Sequence, residues 1–133
     1  MLSRRSAVAL FASALAIPFA AEALAAAPPV ETFSPEAFKA AQSANKPILI
    51  AIHAAWCPTC KIQKVILNDL LQNPAFKNLE VFRVDFDDQK EAVAGFGVDT
   101  QSTLIVFKGK AEMGRTVGDT SNGGIEALLM KAV

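Results

Sequence analysis

The chain switches several times between two hydrophobic periods, and the switches mark its elements. Ile48, Leu49, Ile50, Ala51 and Ile52 form an unbroken apolar run, the mark of a central strand covered on both faces. Residues 81–86 alternate instead, with Phe82, Val84 and Phe86 on one face and Arg83 and Asp85 on the other, which is strand periodicity. Residues 103–107 read as a further strand. Lys108, Gly109 and Lys110 turn it into an antiparallel edge strand over 112–117.

Between these runs the period is helical. Ser34 and Pro35 suit the cap and first position of a helix whose Phe38 and Ala41 face the core and whose Lys39 and Gln42 face water. Asn45, Lys46 and Pro47 end it. From Pro58 onward, Ile62, Val65, Ile66 and Leu70 form an apolar stripe, with Lys61, Lys64 and Asp69 outside it, and Asn73 and Pro74 break the segment. Asp87 and Asp88 read as a solvated turn. A short helix over 89–96 closes at Gly95 or Gly97, and residues 121–133 form a last helix carrying Ile125, Leu128 and Leu129. The order α-β-α-β-α-β-β-α predicts an α/β sandwich of about four to five strands flanked by helices.

Composition changes this picture only at the N-terminus. The chain has 133 residues, enough for one domain with one sizeable core. Its hydrophobic fraction of 52% is inflated by the Ala-rich start. Residues 1–25 have the build of a signal peptide: Arg4 and Arg5, an apolar stretch over 7–17 too short to span a bilayer comfortably, and Ala23, Leu24 and Ala25 as a cleavage site. Cleavage after Ala25 is expected, with Ala26 the next choice and an uncleaved anchor the alternative. Ser3, Arg4 and Arg5 also resemble a twin-arginine signal. Either way the expected location is the periplasm. Residues 26–32 read as a flexible tail and 33–133 as the domain. Formal net charge is zero, so nothing suggests nucleic acid as a partner.

The candidate chemistry lies in Trp56, Cys57, Pro58, Thr59 and Cys60, which contain both cysteines of the chain. A thiol attacks a disulfide only as thiolate, so its pKa must fall toward working pH. Pro58 suits the first helical turn, which places Cys57 at the N-cap, facing free amides and the positive end of the helix dipole. Cys60 follows one turn later, within reach to close a ring. Cys57 is thus expected as the exposed nucleophile and Cys60 as the more buried resolving thiol. A structural disulfide is the plainer alternative, but so small a ring removes little chain entropy. A structural zinc site wants four ligands, and the chain offers two cysteines and one histidine.

Trp56, Cys57, Cys60 and Lys61 after an apolar strand, followed by Phe96-Gly97-Val98 and by Thr103 to Lys108 before Gly109, resemble the thioredoxin superfamily over about residues 33–133. The local sequence His53-Ala54-Ala55-Trp56-Cys57 is most similar to thioredoxin-like domains of bacterial periplasmic electron-transfer proteins. The resemblance implies a three-layer thioredoxin-like sandwich, a catalytic Cys57/Cys60 dithiol, and a substrate-binding rim of Trp56, Gln101, Ser102 and Thr103. It also exposes three departures. Ala51 stands where the family has a buried Asp that helps deprotonate the resolving thiol. His53, on the same strand face and nearer the cysteines, stands where an aromatic is usual. It is expected to act as substitute base for Cys60 or as a cation favouring the Cys57 thiolate; Arg83 is a weaker candidate for the latter. Ser102 stands where the family has a cis-proline. A cis bond before a non-proline costs ~3–4 kcal/mol, so the Gln101–Ser102 bond is expected to be trans.

These readings predict a periplasmic thiol–disulfide oxidoreductase, a reductase rather than an oxidase, with no cofactor. Its expected partners are protein disulfides and a membrane-linked thiol electron donor, and the chain is expected to be a monomer. The alternatives are a metal or iron–sulfur module, for which Ser102 would leave room beside Cys57, Cys60 and His53, and a non-catalytic adaptor on the same scaffold.

Overall fold

The structure, a computed structural model, describes residues 26–133; the expected signal peptide lies outside the described residues. The elements run β1 (Val30–Thr32), α1 (Pro35–Ser43), β2 (Pro47–His53), α2 (Pro58–Leu70), a 3-10 turn (Pro74–Phe76), β3 (Glu80–Asp85), α3 (Lys90–Gly95), β4 (Thr103–Lys108), β5 (Ala111–Val117) and α4 (Asn122–Met130). The strands form one mixed sheet in the order β1-β3-β2-β4-β5. β1, β3 and β2 are parallel, while β4 pairs antiparallel with β2 and β5 antiparallel with β4. This is the α/β sandwich expected from the periodicity, in the three-layer form that the family resemblance implies.

β2 shows why both sheet faces are covered. Its side chains alternate, so Leu49 joins Leu67 and Leu70 of α2 and Ile125, Leu128 and Leu129 of α4 on one face. Ile48, Ile50 and Ile52 meet the other face, with Phe82, Val84, Ala41 of α1 and Val93 of α3. That second layer is rich in phenylalanine: the Phe38 ring lies 5.3 Å from Phe107 and 5.4 Å from Phe96, both near edge-on. Such pairs add about 0.5–1.5 kcal/mol beyond area burial.

Capping follows the sequence. Ser34 Oγ accepts from Ala37 N at 3.1 Å, with Pro35 opening α1. Ser121 caps α4 through Gly124 N. Of the two glycines considered for the end of α3, Gly97 takes the left-handed conformation, at φ +66°.

Two expectations need correction. Residues 30–32, expected as part of a flexible tail, form the edge strand β1 against β3. Their side chains are exposed, so no alternation betrays the strand, and its pairing is a property of the backbone. The helix after the cysteines is rotated relative to the expected stripe. Ile66 and Leu70 of that stripe do face the core, but Ile62 and Val65 are 50% and 69% exposed, and Cys60, Gln63 and Leu67 join Leu70 on the buried face. The inward turn of Cys60 sets that rotation, and positions three, seven and ten residues further on follow it inside.

Candidate functional site

The site forms where β2 gives way to α2. Cys57 is the N-cap residue of α2, in extended conformation, and Pro58 occupies the first helical position without needing a donor. Cys57 Sγ accepts from Cys60 N at 3.2 Å, so the sulfur holds the capping place that a Ser or Asp side chain would take. Both cysteines are free thiols.

Opposite them stands Ser102, in the loop before β4. Its hydroxyl lies 3.1 Å from Cys57 Sγ and 3.0 Å from Cys60 Sγ. No peptide bond among the described residues is cis, in line with the expectation for Gln101–Ser102. Ser102 instead has φ +63°, a left-handed conformation uncommon outside glycine. Such strain costs about 1–3 kcal/mol and persists only where the surroundings over-determine it. Here they do: Ser102 N donates to Ile52 O at 2.9 Å, and Ser102 O accepts from Gly118 N and from Gln63 Nε2, both at 3.0 Å.

The electrostatics separate the two thiols. Burial pushes the Cys57 thiol up, but hydrogen bonds from the Cys60 thiol, Ser102, the Cys60 amide and the Gln101 side chain outweigh it and hold Cys57 below its ordinary value of 9.0. Cys60 is raised, first by burial and then by its hydrogen bond to Cys57, with hydrogen bonds from the Ser102 hydroxyl and the Ala54 backbone N–H only partly offsetting them. The arrangement therefore favours one thiolate, at Cys57, beside one thiol, at Cys60. The expected contrast in exposure is absent: each cysteine is only 2% exposed. Chemistry, not access, distinguishes them.

His53 ends β2 on the face of Ala51, as strand alternation predicts. The two share a cavity of about 20 Å³ with Cys60, Gln63, Lys64, Arg83 and Leu104. Desolvation, then the charges of Arg83 and Lys64, lower the His53 pKa below its ordinary 6.5, against the opposing pull of Asp85. His53 is thus mainly neutral at pH 7, which suits a base. Neither His53 nor Arg83 contributes to the fall at Cys57, so the suggested cationic role of either residue gains no support. Among the described residues no group of three or more His, Cys, Asp or Glu side chains is placed to hold a metal ion, so His53 does not join the cysteines as a third ligand.

The expected substrate rim is only partly on the surface. Trp56 is exposed, and its indole Nε1 donates to Asp87 Oδ2 at 2.7 Å, which gives a role to a residue expected merely to be solvated. Gln101 is half-buried beside Cys57. Thr103 is a correction: it is buried in β4, with its hydroxyl donating to Thr100 O at 2.7 Å, and offers no side chain to a substrate. Ser102 is also buried and faces the sulfurs.

Sequence reasoning missed Gln63. It is 2% exposed, and its Nε2 donates both to Ser102 O at 3.0 Å and to Asp119 O at 2.9 Å. A count from Cys60 along the buried face, rather than a search for apolar residues, would have found it.

The thioredoxin family model matches residues 29–131. A thioredoxin of Alicyclobacillus acidocaldarius subsp. acidocaldarius is 30% identical over 92 residues, covering 69% of this chain and 87% of that protein. An H-type thioredoxin of Brassica campestris is 36% identical over 95 residues, covering 70% of this chain and 73% of that protein. Among solved structures, Trxlp from Edwardsiella tarda EIB202 superposes with a TM-score of 0.74 at 42% identity, over 76% of this chain and 98% of that one.

Proposed function

Because the chain belongs to the thioredoxin family, we propose that its Cys57/Cys60 dithiol reduces protein disulfides in the bacterial periplasm. The coarse activity, thiol–disulfide exchange, comes with family membership.

The observation that carries it is the cap: the Cys57 sulfur receives Cys60 N at 3.2 Å and Ser102 Oγ at 3.1 Å, so negative charge on it is met by donors. Cys57 thiolate attacks one sulfur of the substrate, the substrate S–S bond breaks, and a mixed disulfide forms while the departing thiolate takes a proton. Cys60 then gives up its proton and attacks Cys57 Sγ. The second substrate thiolate leaves, and two electrons have passed from the dithiol to the substrate. His53 receives the Cys60 proton. Both residues border the 20 Å³ cavity, a volume sufficient for a single water to carry the proton between them. Trp56 and Gln101 form the accessible edge on which a substrate rests.

A membrane-linked thiol donor restores the dithiol, because an exported reductant has no soluble cytoplasmic source of electrons. Support for export is the sequence of residues 1–25; the purified periplasmic protein should begin just after Ala25. The enzymatic test is insulin reduction. The reduced protein should precipitate the insulin B chain catalytically with dithiothreitol as donor, and Cys57→Ala should not. Equal rates for both proteins would remove this reading.

A further inference from the structure

Gln63 sits outside the reaction and hydrogen-bonds to neither sulfur, yet it is the buried polar side chain that ties the site together. Its amide nitrogen has two protons and spends both: one on Ser102 O, the other on Asp119 O. These carbonyls belong to two separate loops, one before β4 and one between β5 and α4. Ser102 O also accepts from Gly118 N, so both of its acceptor sites are filled from the second loop and from α2. The strained φ of +63° at Ser102 therefore has a direct restraint from the helix that carries the cysteines.

We propose that Gln63 is a positioning residue that locks Ser102 with its hydroxyl across both sulfurs, and thereby sets how readily the dithiol ionises and oxidises. The Ser102 O–H, donated to the Cys57 thiolate, stabilises the reduced form more than it stabilises the neutral disulfide. It therefore favours the reduced state. The inference rests on the exchange reading above, but its test does not depend on any protein substrate.

The experiment compares wild type, Ser102→Ala, Gln63→Met and the double variant. Met preserves length and burial without donors. Thiolate content is read from ultraviolet absorbance against pH, and the dithiol–disulfide equilibrium from glutathione buffers. Ser102→Ala should raise the Cys57 pKa and shift the equilibrium several-fold toward the disulfide; a tenfold shift corresponds to about 30 mV. Gln63→Met should shift both in the same direction, and the double variant should go no further than Ser102→Ala. Wild-type values in Gln63→Met, or additive shifts in the double variant, would overturn the proposal. Should Gln63→Met fail to fold, the wild type answers by NMR: both Gln63 Nε2 protons should resist solvent exchange in the reduced protein, and fast exchange would overturn the assignment. Wild type that ionises as described but fails to reduce insulin would defeat the function reading and leave this one standing.

Discussion

Ser102 Oγ stands 3.1 Å from Cys57 Sγ, in the place where the thioredoxin family carries a proline ring. A ring shields; a hydroxyl donates. The site thereby exchanges a shape contact for a polar one, and the first consequences lie in how it titrates.

Absorbance titration of the reduced protein should show two separated thiol ionisations. Cys57, held down by its donors, should ionise below 9.0, and Cys60, raised by burial and by Cys57, above it. Stability follows by linkage. The Cys57 contribution grows as pH rises through its folded pKa, is complete above the ordinary value, and is lost as pH falls through the folded value. Cys60 works in reverse: above the ordinary value the unfolded chain ionises that thiol while the folded one resists, so stability falls. Denaturant midpoints of reduced Cys57→Ser and Cys60→Ser across pH 7–10 check both signs, since each variant should lose one of the two slopes.

His53 should titrate below 6.5 by NMR of its ring protons, because desolvation and the nearby Arg83 and Lys64 disfavour its charge. Between that value and 6.5 the unfolded chain binds the proton first, so stability falls as the solution is acidified through this window. His53→Ala should abolish that slope. It should also slow release of the second substrate thiol, the step that needs Cys60 deprotonated, while leaving the first attack by Cys57 near the wild-type rate. Unchanged release kinetics would remove His53 from the mechanism.

The rotation of α2 predicts a sharp contrast in stability. Leu67→Ala, on the buried face, should cost about 2–5 kcal/mol. Val65→Ser, two residues away and so on the opposite, exposed face, should stay within about 1 kcal/mol. Equal losses would mean that the apolar stripe read from the sequence, and not the face containing Gln63, packs against the sheet.

Ser34→Ala removes the acceptor for Ala37 N at the start of α1 and should cost about 1 kcal/mol in chemical denaturation. The exchange activity should be unaffected, since α1 lies on the sheet face away from α2.

Much of this architecture is legible in the sequence. The run from Ile48 to Ile52, the alternation around Val84, and the cysteines at a strand-to-helix junction each encode one local physical fact, and the structure joins them as those facts require. Ser102 was legible as a departure from the family, though not its left-handed backbone, which depends on partners in β2, in α2 and in the loop after β5. Gln63 was hidden because hydrophobicity alone set the expected face of α2: Ile62 and Val65 attracted the reading, and a buried glutamine satisfied by two distant carbonyls has no local signature. β1 was hidden for a related reason, since it is held by backbone pairing with β3 and its side chains are exposed. The Trp56–Asp87 contact likewise joins residues 31 apart that nothing in the sequence couples.

The most direct measurement is a trapping experiment on the two single-cysteine variants. Reduced Cys60→Ser, mixed with a disulfide protein and digested for mass spectrometry, should accumulate a mixed disulfide at Cys57, while Cys57→Ser should accumulate little at Cys60. An adduct confined to Cys60, or none on either sulfur, would contradict the assignment of the capping thiol as nucleophile.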